Sequence, residues 1–246
     1  MADVVLVLLA AFAEVINSSL GMMYGTLLSP LLIALGNDPL VLIPALLFSQ
    51  AVSGLIAATK HHLQGNVNFR WDSDDFKSFL LIVFPGIIAV VVGAYVAIEI
   101  PNWLLKAYIG LLVVAIGIIV LMNVKLKFSF KRIALIGFIS AFNKALSGGG
   151  FGPLVTSGQI AIGQKSKNAI SITTLAEAPI CMGSFIAYYF LGGFTDWYLL
   201  FLLTLGATFG AFIGPRITSS LNHKKIRTAV AVLAIVAGVW ILHGLF

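Results

Sequence analysis

The chain has 246 residues, of which 60% are hydrophobic and only 10% charged, with a formal net charge of +6. A soluble domain ordinarily carries roughly 25% charged residues, so a water-exposed globule is excluded and membrane-crossing helices become the default reading. The basic excess is not a nucleic-acid footprint, because Lys and Arg lie in short polar stretches between apolar ones, as membrane topology is encoded.

The N-terminal apolar run, 4–12, is not read as a secretory signal: no Lys or Arg precedes it, Asp3 sits where positive charge belongs, and Glu14 follows. Residues 4–35 form a Gly-interrupted segment, followed by three uninterrupted apolar stretches at 40–59, 79–98 and 104–122. The pattern then starts again. A second interrupted segment, 133–162, precedes stretches at 169–190, 198–214 and 228–245. About 18 to 20 apolar residues suffice to cross a hydrocarbon layer roughly 30 Å thick. The single cysteine, Cys181, excludes an intramolecular disulfide and a Cys-rich metal site, and is read as a small buried apolar residue.

The two series are copies of one unit. With one inserted residue the first lies on the second, pairing Asn17 with Asn143, Leu20 with Leu146, Tyr24 with Phe151 and Gly25 with Gly152. The same register pairs Gly36 with Gly163, Gln50 with Glu177, Ala51 with Ala178 and Gly65 with Gly192. Beyond the polar loop 70–77 a shifted register pairs Gly93 with Gly214, Lys106 with Arg227 and Gly117 with Gly238. The expected units are 1–124 and 125–246, within one membrane domain.

Charge decides how the interrupted segments lie. If each crosses once, Lys125, Lys127, Lys131 and Arg132 face one side while Lys165, Lys167, Arg216, Lys224, Lys225 and Arg227 face the other, against the cytoplasmic bias. If each is a re-entrant hairpin, the loops 60–77, 124–132, 163–167 and 215–227 share a face and hold thirteen of the fifteen Lys and Arg residues. The opposite face keeps Asp38, Glu99, Asp196, Lys106 and both termini, and is expected to be extracytoplasmic. Three full crossings per half require the second half to be inserted upside down. The expected fold is therefore an all-α integral membrane protein, an inverted repeat in which each half is a broken or re-entrant helix pair plus three transmembrane helices.

The break Ser147-Gly148-Gly149-Gly150-Phe151-Gly152-Pro153 carries the chemistry. Its glycines permit close approach and positive φ, and Pro153 suits the first turn of a new helix. Such a helix starts inside the membrane with free N–H groups and a positive dipole end, which is an anion site. Its counterpart, Gly21-Met22-Met23-Tyr24-Gly25 followed by Ser29-Pro30, is expected to present a second half-helix from the opposite side. By contrast, Gly93, Gly110, Gly117, Gly206, Gly210 and Gly238 are read as helix-packing glycines.

Glu14, Lys144 and Glu177 fall at membrane depth, where each costs roughly 2.5 to 3.5 kcal/mol unless paired or facing a polar cavity. The register lays Glu14 on Ser140 and Ser18 on Lys144, so Glu14 and Lys144 are expected to face each other across the pseudo-twofold axis. Lys144 selects an anion. Glu177, beside Pro179 and opposite Gln50, either carries a coupling proton or balances Lys144 in the empty site. The expected substrate contacts are Asn17, Gly21, Tyr24, Gly25, Gln50, Asn143, Lys144, Ser147, Gly148, Gly149, Gly150, Phe151 and Gly152. Thr173 and Thr174 add hydroxyls nearby; for these and for Ser147, bonding back to helix carbonyls is the alternative to ligand contact. His61 and His62 are adjacent, so they do not share a helix face, and no metal-ligand spacing occurs; solvation at the interface is expected, and neither metal nor other cofactor. Trp71, Trp103, Trp197 and Trp240 lie near segment ends, as in interfacial belts.

The run from Ser147 through Thr156-Ser157-Gly158-Gln159-Ile160-Ala161-Ile162-Gly163 resembles the signature of the TauE/SafE sulfite-exporter family, also called TSUP. In the first half the likeness continues in Gly21 to Gly25, Ser29-Pro30-Leu31, Ala51-Val52-Ser53-Gly54 and Gly65-Asn66-Val67, with Met22 and Met23 where further glycines are usual. It extends over essentially the whole chain. The resemblance implies transport of small sulfur-containing anions such as sulfite or organosulfonates, generally export and driven by an ion gradient; members are also linked to other organic acids. An anion channel with the same centre, an intramembrane enzyme using Glu14, Glu177 or the His pair, and a purely structural scaffold stand as alternatives. Against the enzyme, no nucleophile and base stand at a recognisable spacing. The expected partners are the small anion, protons and the lipid bilayer, and assembly with identical chains is left open.

Overall fold

The computed structural model describes residues 2–122, 129–161, 163–192, 196–218 and 223–245, and among these it is helical with no strand. In chain order come α1 (Ala2–Leu20), a π-helical turn (Tyr24–Leu28), α2 (Ser29–Ala34), α3 (Pro39–Leu63), α4 (Asp74–Glu99) and α5 (Asn102–Met122). The second half supplies α6 (Phe130–Ser147), α7 (Phe151–Ala161), α8 (Ser166–Leu191), α9 (Trp197–Ile217) and α10 (His223–His243). Short polar residues set several starts: Asp38 accepts from the Leu40 amide (2.8 Å), Ser73 from that of Phe76 (3.1 Å) and Asp196 from that of Leu199 (2.8 Å). Gly148, at φ 70°, closes α6 in the left-handed conformation that a β-carbon disfavours.

Among the described residues seven helices are long and apolar enough to cross a membrane: α1, α3, α4, α5, α8, α9 and α10. Six are the uninterrupted stretches of the sequence. The seventh, α1, is the first arm of the interrupted segment, and its 19 unbroken residues are long enough to span alone. The apolar windows of α3 and α8 are 67% and 72% buried, against 33–44% in the other five, so these two are the central helices. Val91, Ile118, Phe209 and Leu233 are exposed on the outer helices, as a lipid-facing surface requires. Trp71, Trp103, Trp197 and Trp240 are also exposed.

Glycines reveal the directions of the helices, because each lets a neighbour's backbone approach at a known height. Gly206, Gly210 and Gly214 of α9 lie against Val7, Ala11 and Val15 of α1 in that order, so the two helices are parallel. Gly137 of α6 meets Ile82 of α4, and Gly93 of α4 meets Phe142 and Ala145 of α6; these are parallel too. Gly110 and Gly117 of α5 meet Leu242 and Ile235 of α10, an antiparallel pair. Across the centre, Phe48 of α3 packs on Phe185 of α8 (ring centroids 5.0 Å apart) while Gly54 meets Thr174, again antiparallel.

These directions dispose of the single-crossing alternative for the broken segments. α3 runs parallel to α9, since Tyr24 bridges Ser49 and Leu203 at one level and Lys60 lies over the Phe212 ring at another. Hence α1 and α3 run the same way, and the segment 21–35 between them carries the chain back. Likewise α4 is parallel to α8, from Asp75 against Asn168 to Ile98 against Gly192. With α6 parallel to α4, α6 and α8 run the same way and α7 is the returning arm.

Candidate functional site

Both breaks meet at one place. Gly25 lies directly against the carbonyl of Gly148, Gly149 against the Gly25 carbonyl and Thr26, and Gly152 against Gly21 and Met22. A side chain at any of these positions would overlap backbone of the other hairpin. Positive φ at Gly21 (70°), Gly148 (70°) and Gly150 (82°) turns the chain at the break, and Met23 (139°) is the only described non-glycine residue with positive φ. The crossing is stitched by hydroxyls: the Gly150 amide donates to Thr26 (3.2 Å), Ser29 donates to the Ser147 carbonyl, and Thr156 donates to the Gly21 carbonyl (3.0 Å).

Beside this crossing four helices deliver a charged cluster. Lys144, from the last turn of α6, places its ammonium 3.0 Å from Glu177 Oε1 of α8 and donates to Gln50 Oε1 of α3. Gln50 in turn donates from Nε2 to Glu177 Oε1 (3.3 Å). Asn17 of α1 completes the set, its amide within 3.4 Å of Glu177 Oε2 and 3.3 Å of Glu14 Oε2. Exposure is 0% for Glu14, 1% for Gln50 and Lys144 and 3% for Glu177, so the cluster is closed to solvent in this conformation. Such burial demands the pairing observed, because an uncompensated charge here would cost several kcal/mol.

Of the two carboxylates the sequence offered to Lys144, Glu177 is the one in direct contact, as the charge-balancing reading had it, and the expected facing of Glu14 and Lys144 is not a direct pair. Ser18 bonds back to the Glu14 carbonyl (2.6 Å), and Glu14 reaches the cluster through Asn17. The amides expected to be free at the start of α7 are partly taken, that of Gly149 by the Ser147 hydroxyl (3.1 Å) and that of Gly150 by Thr26. Tyr24 uses its hydroxyl on Ser49 (2.9 Å), and Phe151 is buried in the apolar cluster of Val155 and Ile172. Asn143 accepts from the Tyr108 hydroxyl. Ser147, Thr173 and Thr174 all bond back to the carbonyl four residues earlier.

Three participants were not foreseen. Thr26 and Tyr108 carry no charge or periodic signal that sets them apart. His61, expected in solvent, is fully buried with Nε2 2.7 Å from the Ser18 carbonyl and Nδ1 3.1 Å from the Asn66 amide, pinning α3 to α1. No cluster of three His, Cys, Asp or Glu residues suited to a metal occurs among the described residues. Cys181 is free and buried.

A bundle of membrane-length helices, broken at its centre around a buried ion pair, belongs to the class of multi-pass membrane transporters. The sequence model described as "Sulfite exporter TauE/SafE" matches residues 6–241, and the chain belongs to that family. It is 25% identical over 243 residues to the "Probable membrane transporter protein YtnM" of Bacillus subtilis (strain 168), covering 92% of this chain and 78% of that protein. It is 22% identical over 210 residues to the "Probable membrane transporter protein YdhB" of the same organism, covering 80% and 82%. No solved structure gives a significant match.

Proposed function

We propose that the chain is a secondary transporter that exports small sulfur-containing anions, sulfite or sulfonates, across the cell membrane by alternating access. The observation that carries this reading is the buried Lys144 ammonium at the crossing of two broken helices, held by Glu177 and the neutral Gln50. A cation in that place selects for negative charge, and the two hairpins give it a mobile wall on either side.

The helix pairings support an inverted repeat of 1–124 and 125–246. α1 on α9 corresponds to α6 on α4, α3 on α9 to α8 on α4, while α5 on α10 and α3 on α8 pair each helix with its own counterpart. Each hairpin thus packs on a helix of the other half, an arrangement suited to rocking one set of helices against the other. The concentration of Lys and Arg in the loops at one end of the bundle supports a cytoplasmic position for that end, with both termini outside.

Charge balance gives the coupling. Glu14, Glu177 and Lys144 sum to −1 when all are ionised, so an added anion is repelled unless a carboxylate takes up a proton. In the empty site Glu177 neutralises Lys144; when the anion arrives it displaces Glu177, which leaves protonated, and anion and proton move together. The reading is tested with purified protein in liposomes: saturable, counterflow-capable sulfite uptake that Lys144→Met abolishes. Non-saturable flux without counterflow would make the protein a channel.

A further inference from the structure

A cavity of about 390 Å³ opens on the side of the basic loops, between the first break, α5, α7, α8 and the start of α10. Its inner end reaches Met22 and Thr156, and Thr156 is tied to the Gly21 carbonyl at 3.0 Å. On the other side of this short turn, Gly25 stands beside the Lys144 ammonium. One thickness of polypeptide therefore separates the cavity from the buried ion pair.

Its lining is positively charged and uncompensated. Lys224, Arg227 and Thr228, spaced so that all three share one face of the first turns of α10, line it together with Ser166 and Thr156, and no Asp or Glu does. Arg227 is half-buried, and its Nε has no hydrogen-bond partner among the described residues. A guanidinium is a planar fork matched to two oxygens of an oxyanion, and the amino-terminal end of α10 adds a favourable dipole. Two cations with no acidic partner among the described lining residues, flanked by hydroxyls, suit an anionic ligand.

We propose that this cavity is a second anion site, held by Arg227 with Lys224 and Thr228, where a small oxyanion docks from the cytoplasmic side before it passes the Gly21–Tyr24 turn to Lys144. The proposal rests on the reading of the chain as an anion carrier. In this conformation the turn closes the way between the two sites.

The test is the stoichiometry of sulfite binding to the full-length protein in lipid nanodiscs, measured under anaerobic conditions by calorimetry. Wild type is expected to bind two sulfite ions per chain. Arg227→Gln should weaken one of them about tenfold, the scale of losing a charged hydrogen-bond partner, and leave the Lys144-dependent one in place. Arg227→Lys should restore part of the loss, and Lys224→Gln with Thr228→Val gives the same readout should Arg227→Gln not fold. A single site in wild type, abolished by Lys144→Met and untouched by the α10 variants, overturns the second site and leaves the transport reading standing. Binding and uptake that survive Lys144→Met while depending on Arg227 overturn the assignment of Lys144 and keep the Arg227 cavity site. No sulfite bound by wild type overturns both.

Discussion

Gln50 and Glu177, which the internal register places at corresponding positions, meet across the centre of the bundle, with Gln50 Nε2 3.3 Å from Glu177 Oε1. The same Gln50 accepts from Lys144 through its other end, so a neutral amide and a carboxylate jointly cradle one ammonium. The two halves are thus alike in backbone and unlike in charge.

Removing one member of that pair should cost more than removing both. Lys144→Met leaves Glu177 buried without its cation and is expected to destabilise the protein by about 3–5 kcal/mol, as does breaking other buried pairs. Lys144→Met combined with Glu177→Gln should recover most of that stability while sulfite uptake stays at background. Unfolding in detergent measures the first quantity and liposome flux the second. Recovery of transport by the double variant would show that the pair serves stability alone.

The proposed proton coupling through Glu177 predicts a definite sign of the pH dependence. If the displaced carboxylate takes up a proton as the anion binds, wild-type affinity rises as pH falls. Glu177→Gln imitates the protonated side chain, so its affinity should lose this dependence and stay near the low-pH level. Glu14→Gln, one hydrogen-bonded residue further away, should keep the wild-type profile. A Glu177→Gln protein whose binding retains the full pH profile removes Glu177 as the carrier.

The break was legible because a glycine triplet next to a proline has no reason to exist inside a packed helix, and the hairpins because basic residues fall into place only if the chain turns back. Glycines 206, 210 and 93 were also legible as packing positions, and each lies at a helix crossing. What stayed hidden was long-range partnership. The sequence offered both Glu177 and Glu14 to Lys144, and which of them lies within 3.0 Å depends on how α8 is rotated against α6. His61 was misread for a similar cause: its neighbours Lys60 and His62 look like a solvated helix end, but its side chain turns inward to the Ser18 carbonyl.

The contact of the two breaks predicts a steep steric response. A β-carbon on Gly25 would fall on the Gly148 carbonyl, where neither backbone can yield without moving its hairpin. Gly25→Ala is therefore expected to cost at least ~3 kcal/mol, the upper range for overpacking, and to abolish transport. Gly36→Ala is the control. Its φ of 100° imposes strain but nothing lies within 4 Å of the added carbon, so a loss of about 1–2 kcal/mol with transport retained is expected. Equal thermal shifts for the two variants would contradict the crossing.

Hairpin and single-crossing topologies differ in one measurable relation, the sidedness of Asp72 and Gln164. Asp72 lies between α3 and α4, and Gln164 between α7 and α8. If α7 returns the chain to the side on which α6 began, the two positions share a face; if the segment crosses once, they lie on opposite faces. Cys181 is the only cysteine and is buried, so a Cys181→Ala background frees the chain for single-cysteine labelling. Asp72→Cys and Gln164→Cys should both resist an impermeant maleimide in intact cells and react after permeabilisation, because thirteen of the fifteen basic residues then face the cytoplasm. Asp38→Cys, whose native side chain bonds to Asn102 at the opposite end of the bundle, should react in intact cells. Opposite labelling of residues 72 and 164 would break the chain of parallel helices from α4 through α6 to α8, and with it the two-sided access that an alternating carrier requires.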